Sequence, residues 1–109
     1  MSQPREFERQ IYDNSLQLQG RLYGYCPVQA EGVVMGKRFY FRARWDGWSF
    51  SAADTEDVDP IDIQLGEQGF FREGAYGQQN QDEASWMPYD DAAEIIKRCA
   101  EEYVASIMP

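Results

Sequence analysis

Residues 28–53 alternate apolar and polar side chains through three runs separated by two tight turn signals, and this pattern constrains the fold more than any other. Trp45-Asp46-Gly47-Trp48 places Asp-Gly, a preferred pair for a two-residue hairpin loop, between two alternating runs. That loop predicts Trp45 opposite Trp48, Ala43 opposite Phe50 and Phe41 opposite Ala52. Met35-Gly36-Lys37-Arg38 supplies the neighbouring turn and predicts Val34 opposite Phe39 and Glu31 opposite Arg42. The meander then has two faces. Val28, Ala30, Val34, Phe39, Phe41, Trp45, Trp48 and Phe50 share one. Gln29, Glu31, Tyr40, Arg42, Arg44, Ser49 and Ser51 share the other.

An apolar sheet face needs a cover. The segment from Asp91 to Met108 reads as a helix, with Ala92, Ile96, Cys99, Tyr103 and Ile107 on one stripe, widened by Ile95, Ala100 and Val104. Asp91 followed by Glu94 fits a capping box at its start. The expected fold is α+β, a single domain over residues 1–109. In it an antiparallel β-sheet, with its meander core at residues 28–53, packs against one long C-terminal α-helix over about 91–108.

Elsewhere the signals are shorter. Pro4 to Tyr12 suggests a short helix, with Phe7 and Ile11 spaced four apart. Residues Ser15 to Gln19 alternate like a strand, Gly20 marks a bulge or turn, and Leu22 to Tyr25 continue. Ile61, Ile63 and Leu65 suggest a short strand, and Phe70-Phe71 the start of another. Asp54 to Asp62 reads as a loop, and Gly74 to Glu83 as an exposed, mobile one.

Charge is unevenly distributed. The chain has 109 residues and a net charge of −9, yet residues 1–45 carry seven basic and four acidic side chains while residues 46–109 carry three basic and fifteen acidic. Such a field disfavours nucleic acid and anionic membrane and favours a basic protein partner. No run approaches the roughly 18 apolar residues of a membrane span, and Met1 to Glu8 has no secretory pattern, so a cytoplasmic location is expected. Histidine is absent, which removes the commonest general base and zinc ligand. Cys26 and Cys99 form no C-x-x-C pair and are expected to be reduced thiols without a base partner.

Candidate chemistry is accordingly thin. Asp54, Glu56, Asp57, Asp59 and Asp62 cluster as calcium or magnesium ligands do, but Asp59 stands where a calcium-binding loop needs glycine, and no glutamate sits at its twelfth position. Neither metal nor cofactor is expected, and no catalytic residue. Gly66-Glu67-Gln68-Gly69 lacks the lysine of a phosphate-binding loop. The chain is therefore read as a non-enzyme. Tyr40, Arg42 and Arg44 on the polar sheet face form the alternative, a platform for single-stranded nucleic acid. A Glu31–Arg42 pair would explain that arginine without a ligand.

Tyr12, Tyr23, Tyr25, Phe70, Phe71, Tyr76, Trp86 and Tyr89 exceed what one helix-on-sheet core needs, and aromatics rimmed by acids suit a protein-binding surface. The expected function is a small acidic protein-binding module. Its partner-binding residues are Asp54, Glu56, Asp57, Asp59 and Asp62, with Phe70, Phe71, Tyr76 and Trp86 as anchors. One form of such binding is inhibition of a basic, nucleic-acid-handling host protein.

The segments GYCPVQAEGVVMGKRFYFRARWDGWSFS and SWMPYDDAAEII resemble short acidic proteins carried by proteobacteria, their plasmids and their phages. That group brings no activity or functional residue with it. In size and acidity the chain is also similar to phage-encoded inhibitors of bacterial defence, several of which imitate DNA with carboxylates.

Overall fold

The computed structural model describes residues 8–25, 27–44, 47–53, 60, 69–76 and 87–107. Six strands follow one another along the chain, β1 (Glu8–Asp13), β2 (Leu18–Tyr23), β3 (Val28–Val34), β4 (Lys37–Arg44), β5 (Gly47–Ala53) and β6 (Gly69–Ala75). They form one antiparallel meander in chain order, β1-β2-β3-β4-β5-β6. The helix α1 (Tyr89–Ile107) follows and packs across one face. The α+β arrangement expected from the sequence is the one found, with three strands more than the meander alone announced.

Each strand puts alternate residues under the helix. One row across the sheet reads Ile11, Gly20, Gly32, Phe39, Ala52, Phe70, and the next reads Arg9, Leu22, Ala30, Phe41, Phe50, Arg72. Their apolar members are buried, as are Ala92, Ile96, Cys99, Ala100 and Tyr103 of α1. Phe39 stacks on Phe50 at 5.5 Å, and Phe70 meets Phe50 edge-on at 6.2 Å and Tyr103 at 5.3 Å. Each large side chain fully buried here stabilises the fold by roughly 1.5–3 kcal/mol. The two edge strands clasp the helix. Arg9 of β1 donates to Asp90 at 2.6 Å, and Arg72 of β6 donates to Glu102 at 3.2 Å while lying 4.3 Å over the Phe70 ring.

The two-residue turn between β3 and β4 is Met35-Gly36, both at positive φ (51° and 79°), so Val34 faces Lys37 and Glu31 faces Tyr40. The expected Val34–Phe39 and Glu31–Arg42 pairs do not form. The next hairpin pairs Arg44 with Gly47, Ala43 with Trp48 and Phe41 with Phe50, again two residues from the expected register. An even shift keeps every side chain on its face, which is why the faces hold where the pairs do not. Trp45 and Asp46 lie outside the described residues.

Other expectations change more. Glu8 to Asp13 is a strand, not part of a helix, because a spacing of four also puts two residues on one face of a strand. Asn14–Leu16 is a 3₁₀ turn rather than strand. Asp13 caps it, accepting from Ser15 N at 2.9 Å and Leu16 N at 3.3 Å, and the Ser15 hydroxyl above all holds its carboxyl below the ordinary value. Gly20 is neither bulge nor turn. It faces Gly32 inside the β2–β3 pair, where a Cβ at Gly20 would stand 2.8 Å from Phe39 Cζ.

The helix begins two residues before Asp91, with the Ala92 N–H donating to the Pro88 carbonyl at 3.0 Å. Asp91 is thus no cap; it accepts from the Tyr76 hydroxyl at 2.6 Å. The stripe is buried as far as Tyr103, but Ile107 is 40% exposed. Gly74 and Ala75 belong to β6 and not to the expected Gly74–Glu83 loop, whose residues 77–83 lie outside the described residues. The expected 61–65 strand lies outside the described residues.

Candidate functional site

The two layers carry opposite charge. The outward side of α1 displays Asp90, Asp91, Glu94, Glu101 and Glu102 beside Lys97 and Arg98. The sheet face turned away from the helix carries Arg21, Arg38, Arg42 and Arg44 with Glu8, Glu31 and Glu73. Among the described residues the helix lies wholly in the acidic half of the chain and β1 to β4 in the basic half, so part of the unequal charge along the sequence falls on opposite sides of the sheet.

The acidic side is only loosely engaged. Glu94 accepts from Arg98 at 3.2 Å with both side chains about 70% exposed, and Asp90, paired with Arg9, is 84% exposed. Exposed pairs of this kind contribute about 0–1 kcal/mol. Between these side chains runs a shallow depression of about 580 Å³, lined by Arg9, Asp90, Glu94, Lys97, Arg98 and Glu101.

On the far sheet face, Arg21 donates to Glu8 at 2.7 Å and to Glu31 at 3.4 Å and lies 4.6 Å over the Tyr23 ring. Tyr40 is half-buried and donates to Gln29 Oε1 at 2.7 Å; burial raises its phenol above the ordinary value. Arg42 stands opposite Gln29 and Ser49 rather than a carboxylate. Its Nε is buried and has no hydrogen-bond partner among the described residues. A depression of about 600 Å³ opens beside it, lined by Arg42, Arg44, Trp48, Ser49 and Glu73 among others. Ser51, on the polar face as expected, is buried there and donates to the Pro60 carbonyl.

The expected partner-binding residues do not all converge. Phe70 is a core residue, 8% exposed, and is no anchor. Phe71 points to the far sheet face in the row of Tyr40 and Ser51, whereas Tyr76 packs at the helix start against Asp91. Asp54, Glu56, Asp57, Asp59, Asp62 and Trp86 lie outside the described residues. What sequence reasoning missed is the Gln29–Arg42–Ser49 row, which only the correct register brings together. The signal for it lay in Met35-Gly36, read as the two-residue loop it is.

Cys99 is buried on the inner side of α1, and desolvation pushes its thiol up to about 12, so it does not supply a thiolate near neutral pH. Among the described residues no three His, Cys, Asp or Glu side chains gather to hold a metal ion, and no helix is long and apolar enough to cross a membrane. No family model matches the chain, and neither a curated protein nor a solved structure is significantly similar to it.

Proposed function

We propose that this chain is a small, non-enzymatic binding module that docks a basic protein partner through the acidic outer side of α1. The observation that carries the reading is the segregation of charge: the helix side offers five carboxylates against two cations. The Arg98 and Arg9 pairs there are exposed and weak, so a partner's arginine replaces them at little loss. A basic surface would be steered to this side at low salt and turned from the other. Tyr76, held to Asp91, is the aromatic at the end of that surface. If the partner handles nucleic acid, the carboxylates stand in for phosphates and compete with its DNA or RNA.

The test is affinity capture from the host cell with the wild type and with a Glu94→Lys/Glu101→Lys variant, followed by mass spectrometry. A partner held by the wild type, released by salt and lost in the variant is the expected result. No captured protein, with single-stranded RNA bound and released by Arg42→Glu, would transfer the function to the sheet face.

A further inference from the structure

Gln29, Arg42 and Ser49 stand side by side on β3, β4 and β5, on the sheet face away from the helix. The Tyr40 hydroxyl donates to Gln29 Oε1, which leaves the amide nitrogen of Gln29 to donate outward. Beside it, Arg42 has its Nε buried without a hydrogen-bond partner among the described residues. Ser49 adds a hydroxyl on the other flank. Three donor side chains thus line up across adjacent strands with no carboxylate among them.

We propose that this row is a binding site for a small ligand carrying one oxyanion group, a carboxylate or a phosphate. A guanidinium is planar and presents a donor fork that matches two oxygens of either group. An arginine already stripped of water on one side loses less hydration when an anion arrives, and its field is less screened than in bulk water. The depression of about 600 Å³ beside Arg42 gives the rest of the ligand room. Glu73 lies across from Ser49, and Glu31 across from Tyr40, so the row is fenced by negative charge at short range. One anionic group fits between them. A polyanion laid along the face would meet both glutamates and the net charge of −9. This site uses the layer opposite the acidic helix side, so it stands or falls independently of the protein-docking reading.

The experiment is an NMR titration of the ¹⁵N-labelled full chain with inorganic phosphate, with acetate and with a short oligothymidylate, using sodium chloride as the ionic-strength control. Saturable shifts of the Arg42 Nε–H and the Gln29 side-chain amide with phosphate or acetate are expected, and the tighter of the two identifies the oxyanion. Arg42→Lys keeps the charge but loses the fork, and should weaken binding by roughly tenfold. Gln29→Ala should weaken it by several-fold. Because the wild-type resonances carry the first readout, a variant that fails to fold does not remove the test. Non-saturating drift equal to that with chloride would overturn the proposal, and so would saturation by oligothymidylate alone.

Discussion

Gly32→Ala is the substitution that most directly tests how β2 and β3 fit together. A Cβ at Gly32 would stand 2.2 Å from the Gln19 carbonyl oxygen and 2.5 Å from Gly20 Cα. Ordinary carbon–oxygen contacts are about 3.3 Å or longer, so the strands must part by about 1 Å. Both obstructing atoms are backbone, and no side chain can swing aside. Overpacking of this kind costs about 1–3 kcal/mol, and rigid neighbours place it near 3. Alanine recovers about 0.5–1 kcal/mol of chain entropy relative to glycine, leaving a net loss of about 2 kcal/mol. For a chain of this size that lowers Tm by about 8–16 °C. Gly36 is the control, because nothing lies within 4 Å of its would-be Cβ and only its φ of +79° favours glycine. Gly36→Asn should be nearly neutral, since asparagine tolerates the left-handed region, whereas Gly32→Asn should be worse than Gly32→Ala. Thermal and urea melts followed by far-ultraviolet circular dichroism measure all three variants against wild type. A Gly32→Ala protein melting within about 2 °C of wild type would refute a space-limited contact, given the shift expected above.

Three further outcomes follow from single contacts. The Cys99 thiol is raised from 9.0 to about 12 in the folded chain, chiefly by burial. The native state keeps its proton where the unfolded state releases it, so stability present below pH 9 is lost as pH rises toward 12, by at most about 1.4 kcal/mol per pH unit; urea midpoints of wild type should fall more steeply than those of Cys99→Ala across that window, and parallel curves would contradict it. Arg72→Ala removes the Glu102 pair, the bond to the Phe71 carbonyl and the guanidinium over Phe70, while Glu102→Ala removes the pair alone; the first should cost about 0.5–1 kcal/mol more, and equal losses in denaturant melts would argue against the ring contact. Tyr76→Phe deletes the hydroxyl that binds Asp91 at 2.6 Å and should cost about 0.5–1.5 kcal/mol in the same melts, with no change leaving the helix start independent of Tyr76.

The architecture was legible because its signals are redundant. Val28, Ala30, Val34, Phe39, Phe41 and Phe50 at period two define the buried sheet face, and the Ala92, Ile96, Cys99, Tyr103 stripe defines the matching helix face. Neither depends on where a strand begins. Local competition is harder to read. Ser15 to Gln19 alternates as well as any strand, yet the Asp13 carboxylate takes the Ser15 and Leu16 N–H groups and curls the chain into a turn. Ile11 sits in a stretch too short for its period to be decided, and pairing with β2 decides it. Phe70 reads as a spare aromatic because Phe70-Phe71 is the only sequence signal of β6, whereas the edge strand needs a large side chain to reach Tyr103.

Site chemistry proved more sensitive to register than the fold is. A shift of two residues left Phe39, Phe41 and Phe50 under the helix and changed nothing in the core. On the other face it replaced a Glu31–Arg42 pair, which would have neutralised the arginine, with Gln29 and Ser49, which do not. Glu31 turns instead to Arg21 on β2. The same even slip that is silent for hydrophobic burial therefore decides whether the far face is a set of closed ion pairs or holds a cation with no carboxylate directly opposite it among the described residues. Arginine at position 42 is half-buried on a central strand, where an uncompensated charge costs more than on the rim. Arg42→Gln separates the two readings. If Arg42 has no internal partner, removing its charge should leave stability within about 0.5 kcal/mol of wild type or raise it, because no pair is lost and a dehydrated charge is relieved. If a carboxylate did hold it, the orphaned partner would make the same change destabilising by about 3–5 kcal/mol. Equilibrium urea unfolding distinguishes these outcomes without any knowledge of the ligand.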